Sequence, residues 1–274
     1  LERKTNSRVS NCRGGIEELL DKHGRMIFLE DDVLAAPGFL QFMNDALEFY
    51  KHDPRIGSVS AYCPPIKIPN KYRSDVFALT RFNPWGVALW GRYYKMNTPI
   101  SKSALSGIFS DKKRIAALTR SLGEEALEFI QMDSEGRLDA GDMKSMFWQF
   151  CDNKLTIYPR KSLTHSIGQD GSGYHMENTD KWDVSEVWDK SGGFEFVQGI
   201  EVDKKIQDSH FDFYRKNTLR ARAAALLMRI GLHRYLRPVY RKYKAFTARG
   251  IWPGPGGSRR QGKYGAGHDK MQDL

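Results

Sequence analysis

Apolar positions set the rhythm of the first 160 or so residues of this 274-residue chain. Ile16, Leu19 and Leu20 share one helical face and predict a helix over 15–24. The run Met26-Ile27-Phe28-Leu29 then reads as a strand over 25–30 that is buried on both faces, the kind found in parallel or mixed sheets. Pro37 opens the next helix, in which Phe39, Leu40, Phe42, Met43, Ala46, Leu47 and Tyr50 recur at helical spacing. His52-Asp53-Pro54 stops it, and Ile56–Tyr62 returns as a strand. Strand, loop, helix and strand in this order make a crossover unit, so the pattern predicts an α/β sheet. Residues 63–76 are Pro-rich and polar and read as a loop, and 84–95 are aromatic and glycine-bearing. Helices are expected over 111–131 and 142–153. Leu155–Tyr158 is a short strand, and Ser166–His175, with three glycines, is a polar loop.

Three consecutive carboxylates, Glu30-Asp31-Asp32, stand where the first strand ends. Like charges so close repel unless a cation or hydrogen-bond donors offset them. Ligands of open α/β sheets bind at the carboxyl ends of strands, which is where these acids fall. A hard divalent cation that itself carries a diphosphate fits such a place. The plainer alternative is that the acids face solvent or cap the next helix.

Composition narrows the class. An apolar content of 40% with 12% aromatics suits a globular protein. Cys12, Cys63 and Cys151 are odd in number and widely spaced, which argues against a disulfide framework or a metal-ligand set and for a reducing, cytoplasmic setting. No apolar stretch approaches a membrane span, and no secretory signal opens the chain. The net charge of +10 is concentrated, because Tyr214–Gly250 carries eleven Lys or Arg residues and no Asp or Glu. The remainder is close to neutral, so a uniformly basic nucleic-acid surface is not indicated.

Several separated segments now fall into one order. They are Phe28-Leu29-Glu30-Asp31-Asp32, Pro37-x-Phe39-x-x-Phe42, Trp85-Gly86-x-Ala88-x-Trp90 and Leu138-Asp139 before a helix. Leu155-Thr156-Ile157-Tyr158-Pro159 and Ile167-Gly168 ahead of His175 complete the series. This set resembles the GT-A glycosyltransferases, in particular bacterial family 2-type sugar transferases and, more distantly, N-acetylglucosaminyltransferase I. The resemblance covers about residues 5–180.

The resemblance implies a GT-A fold, a Rossmann-like mixed sheet. It also implies transfer of a sugar, with inversion, from a nucleotide-sugar donor to the hydroxyl of a glycan or lipid-linked acceptor. Asp32 would bind Mn²⁺ or Mg²⁺ directly, with Glu30 and Asp31 toward the ribose or donor sugar. His175 matches a histidine that completes the metal shell, and its other reading is a polar loop residue. Asp139 matches the base that takes the acceptor proton, with Asp142 one helical turn away in reserve. Its other reading is an N-cap for the following helix. Trp85 and Gly86 would line the acceptor side, where a flat ring stacks on a sugar, while Trp90 goes to the core. Leu138 and Val87 stand where the family's motifs carry tryptophan.

A second pattern overlaps the first. Gln131, Asp133, Glu135, Gly136, Leu138, Asp139 and Asp142 fall at EF-hand-like loop positions. Gln at the first position and the short Asp at the last predict poor calcium affinity.

Three regions are expected: a GT-A-like domain over 1–213, a basic amphipathic helical tail over 214–250, and a disordered Gly- and Pro-rich end over 251–274. The domain reads as N-terminally truncated, since only about thirty residues precede the acids and the family's first nucleotide-binding strands would come before them. In the tail, apolar and cationic residues interleave as in helices that lie on an anionic membrane surface, here the inner face, or, in the plainer reading, that pack on their own domain or on a partner. Two other classes use the same features: a non-catalytic membrane-associated scaffold on a degenerate transferase fold, and a metal-dependent nucleotidyltransferase or phosphohydrolase.

Overall fold

The first helix is longer than its apolar spacing suggests, running Arg8–His23 (α1) before the strand Arg25–Phe28 (β1). A computed structural model describes residues 8–95, 97–168, 181–184 and 187–215, with side chains from residue 11 onward. All of them lie in the first of two units, Leu1–Lys216. The tail beyond Arg215, and with it the expected helix and disordered end, lies outside the described residues.

After β1 come a short strand Val33–Ala35 (β2), the helix Phe39–Phe49 (α2) and the strand Ile56–Ser60 (β3). Pro37 stands just ahead of α2, whose N-cap is Gly38. Strands follow at Val76–Leu79 (β4) and Val87–Trp90 (β5). Four helices then follow: Lys102–Phe109 (α3), Lys112–Leu122 (α4), Ala126–Ser134 (α5) and Gly141–Cys151 (α6). The single helix expected over 111–131 is therefore two. Gly123, at φ 98°, takes a backbone conformation that side-chain-bearing residues avoid and breaks it. Leu155–Pro159 (β6), Thr164–Ser166 (β7) and Lys204–Tyr214 (α7) complete the described chain. Thr164–Ser166 thus pairs as a strand, ending at the residue where a polar loop was expected to begin.

Five strands form one mixed sheet in the order β1-β5-β3-β6-β4, and β2 pairs with β7 in a separate ribbon. β1 and β3 are both antiparallel to β5, and β3 is parallel to β6. The crossover from β1 to β3 therefore joins parallel strands, as expected, but β5 is inserted between them. The chain is mixed α/β.

Alternation along β5 shows how the layers form. Ala88 and Trp90 face a core built on α2, with Phe42, Met43, Ala46 and Leu47. Val87 and Leu89 face the opposite core, with Ile16 and Leu20 of α1 and Met146 and Phe147 of α6. Trp90 is buried, as assigned. Phe77, Leu79 and Tyr158 pack beneath Ile206 of α7. Among the described residues no helix is long and apolar enough to cross a membrane.

Candidate functional site

Because β1, β3 and β6 run the same way, their carboxyl ends share one edge of the sheet, and β5 begins there. That edge collects the acidic turn after β1, Tyr62 after β3, Trp85-Gly86 before β5 and the segment after β6. α6 spans about 16 Å and leads back to the start of β6, so Asp139 and Asp142 at its beginning stand toward the same edge.

Glu30-Asp31-Asp32 forms the tight connection between β1 and β2, with the Val33 N–H donating to the Glu30 carbonyl (3.3 Å). Asp31 is exposed, and Glu30 and Asp32 are half-buried. The β2–β7 ribbon pairs Val33 with Ser166, and one step further the Ile167 N–H donates to the Asp32 carbonyl at 2.8 Å. Gly168 follows, its bare Cα directly against the Asp32 carboxylate; a Cβ built there would overlap Asp32 Oδ2.

The aromatic turn is held from both sides. The Trp85 N–H donates to Asn83 Oδ1 (2.9 Å), and Thr164 Oγ1 donates to the Trp85 carbonyl (2.7 Å). The half-buried Trp85 ring meets Tyr62 edge-on at 4.8 Å and Trp182 edge-on at 5.7 Å. The Tyr62 hydroxyl donates to the Trp182 carbonyl (2.6 Å), and burial raises its pKa well above the usual phenol value. Gly86 has φ 91°, and a Cβ there would lie about 3 Å from Phe39, Ala61 and Thr164. Only glycine allows this turn.

Asp139 belongs to a second cluster. Ala140, rather than Asp139, is the N-cap of α6. Arg13 Nη2 and Lys144 Nζ both donate to Asp139 Oδ1, at 2.6 and 2.9 Å. Chiefly the Arg13 hydrogen bond, and then Lys144, holds the carboxyl down to about 2. Among the described residues, the Arg13 and Lys144 hydrogen bonds to Asp139 both end on Oδ1. Lys144 also pairs with the buried Asp133 at 3.5 Å, and Asp133 Oδ1 accepts the Ala140 N–H at 2.9 Å. Two acids of the EF-hand-like pattern thus converge on a lysine ammonium. Asp142 lies in the first turn of α6, where a helix favours negative charge. It adds to a rise of the Tyr94 hydroxyl to about 12 that burial dominates and Glu17 reinforces.

The structure therefore links Trp85 and Asp32 through the segment Thr164–Gly168, and places Asp139 in an ion-pair cluster with Arg13 and Lys144. His175 lies outside the described residues. Sequence reasoning missed Arg13, Lys144, Thr164 and Trp182. Arg13 is 126 residues from its partner and carries no local signal.

Among the described residues no three His, Cys, Asp or Glu side chains form a group able to hold a metal ion. Magnesium-like cations that share their shell with substrate phosphates need only one or two protein carboxylates, and the oxygen donors of the acidic turn are of that hard type. A groove of about 460 Å³ lined by Glu17, Asp21, Gly91 and Arg92 opens near the start of β1, away from these acids. No protein-family model matches the chain, and no curated protein matches its sequence significantly.

Proposed function

We propose that this chain is a metal-dependent inverting glycosyltransferase that moves a sugar from a nucleotide-sugar donor to a hydroxyl of a glycan or lipid-linked acceptor. The observation that carries the reading is the joint placement of Asp32 and Trp85. The short segment Thr164–Gly168 contacts both the aromatic turn, through Thr164, and the acidic turn, through Ile167 and Gly168, at the ligand-binding edge of a mixed α/β sheet. The ordered resemblance to GT-A enzymes supports the same assignment.

Asp32 holds Mn²⁺ or Mg²⁺, with Glu30 and Asp31 toward the donor. The cation, when bound, offsets the negative charge that gathers on the departing diphosphate. Trp85, backed by Tyr62 and joined by Trp182, offers an aromatic corner for the acceptor ring. Asp139 accepts the acceptor proton. Arg13 and Lys144 tie down one of its oxygens and keep it ionised, while Oδ2 receives the hydroxyl hydrogen. This makes it a weak base that is always in its working form, and Asp142 is the neighbouring carboxylate for the same task. The basic segment 214–250 holds the protein at an anionic membrane surface on the cytoplasmic side.

The test measures release of nucleoside diphosphate from a panel of nucleotide sugars, with and without Mn²⁺ and candidate acceptors. A transferase releases nucleoside diphosphate faster when acceptor is added. Release of sugar 1-phosphate would instead indicate attack on the diphosphate, by a phosphohydrolase if nucleoside monophosphate is freed with it and by a nucleotidyltransferase if the nucleotide passes to another acceptor.

A further inference from the structure

We propose that the five residues Thr164–Gly168 are a positioning strut, setting the attitude of the Asp32 carboxylate at one end and the placement of the Trp85 turn at the other; the inference rests on the transferase reading above. At the acid end, the feature that matters is the missing Cβ of Gly168. Its φ lies outside the left-handed region, so conformational freedom is not what the position needs. What it needs is room, because a methyl group would occupy the space of Asp32 Oδ2. The backbone has little scope to withdraw. The Ile167 N–H is bonded to the Asp32 carbonyl, and the pairs Val33–Ser166, Leu34–His165 and Ala35–Thr164 fix the register behind it. A slip of one residue would turn every side chain of the ribbon to the wrong face.

At the other end, Thr164 is fully buried and spends its hydroxyl on the Trp85 carbonyl. Its methyl group lies 3.1 Å from the place a Gly86 Cβ would take. The same short segment therefore fixes both turns. Any change in its register or length alters the separation of the acidic and aromatic stations together. Thr164 and Gly168 are positioning residues, acting through Trp85 and Asp32.

The experiment uses the full chain labelled with 5-fluorotryptophan and Mn²⁺ alone as the probe. The Trp85 fluorine signal is assigned by Trp85→Phe, and paramagnetic Mn²⁺ broadens fluorine nuclei close to it. Asp32→Asn is expected to abolish broadening of the Trp85 signal, and Gly168→Ala to raise the Mn²⁺ concentration for half-broadening about tenfold. Thr164→Val is expected to keep the midpoint but change the Trp85 linewidth at saturating Mn²⁺, and Thr164→Ser to restore it. As a control for folding, Asp32→Ala/Gly168→Ala is expected to melt close to Asp32→Ala, since the carboxylate that the methyl group would overlap is gone and only the residue-32 Cβ, at 3.3 Å, remains beside it.

Unchanged broadening in Asp32→Asn would overturn the metal reading itself. Loss in Asp32→Asn with a wild-type midpoint in Gly168→Ala would overturn only the strut. So would a wild-type saturated linewidth in Thr164→Val, or a double variant that melts well below Asp32→Ala.

Discussion

Arg13 of the first helix reaches across 126 residues of sequence to Asp139 and bonds its Oδ1 at 2.6 Å, in a space left by Gly141. A Cβ on Gly141 would stand 2.8 Å from the guanidinium, so the glycine makes room for the pair. Through Asp139, which also bonds Lys144, the first helix is tied to the start of α6. The carboxylate that Arg13 shares with Lys144 is held as an anion.

The first expectation concerns that anion. Asp139 sits at about 2, below the ordinary aspartate value near 3.9. Its contribution to stability is therefore complete above the unfolded value and is lost as pH falls toward 2. The side chain is 48% exposed, so screening keeps that contribution to under about 1 kcal/mol. Arg13→Ala should raise the Asp139 pKa, read from the carboxyl-carbon shift in an NMR titration. An unchanged midpoint would mean that Arg13 does not hold the group in solution.

Gly86→Ala should be costly. The substitution combines a left-handed backbone with contacts of about 3 Å to Phe39, Ala61 and Thr164. Strain and overpacking together predict a loss of about 3 kcal/mol, or roughly 10 °C in melting temperature for a domain of this size. Calorimetry that found wild-type melting would show that the turn relaxes freely.

His210 predicts acid sensitivity. It is fully buried in α7 against Tyr214 (4.6 Å between rings), neither ring nitrogen has a hydrogen-bond partner among the described residues, and burial pushes its pKa down to about 3, with Arg81 adding to the effect. The unfolded chain takes up a proton near pH 6.5 and the folded one does not. Stability is thus fully present above about pH 6.5 and falls as pH drops toward 3, with a slope of up to about 1.4 kcal/mol per pH unit from this group. Denaturant titrations of His210→Leu should show a shallower slope in that window. An equal slope in both proteins would rule the histidine out as the cause.

Much of the scaffold was legible in the sequence, and the gaps have physical causes. β1, α2, β3 and β6 were readable from apolar runs and helical spacing. β5 carries no clear strand signal, because Val87–Trp90 is a short element buried on both faces inside an aromatic, glycine-bearing stretch and shows no alternation. Val76–Leu79 lies behind a Pro-rich loop and, equally short and buried on both faces, lacks alternation for the same reason. α7 was hidden differently. Its buried stripe runs through Ile206, His210 and Tyr214 with Gln207 beside it, so half the inward positions are polar. The acidic and aromatic turns stood out from local residue type. The strand joining them did not, since Thr164–Ser166 owes its extended form to pairing with β2.

Trp85 and Trp182 should be separable from donor chemistry. Replacing either with Ala is expected to raise the acceptor KM about tenfold, the loss of about 1.5 kcal/mol of aromatic contact, while acceptor-independent donor hydrolysis persists. A parallel fall in both activities would place these rings elsewhere in the reaction.

The most direct measurement is Mn²⁺-dependent release of nucleoside diphosphate from the best donor of the nucleotide-sugar panel, comparing wild type with Asp32→Asn at matched melting temperature. A fall of at least about a hundredfold is expected, the scale of removing a group that stabilises developing charge. Turnover in Asp32→Asn that matched wild type, with the same metal dependence, would contradict the assignment of Asp32 as the metal and diphosphate station.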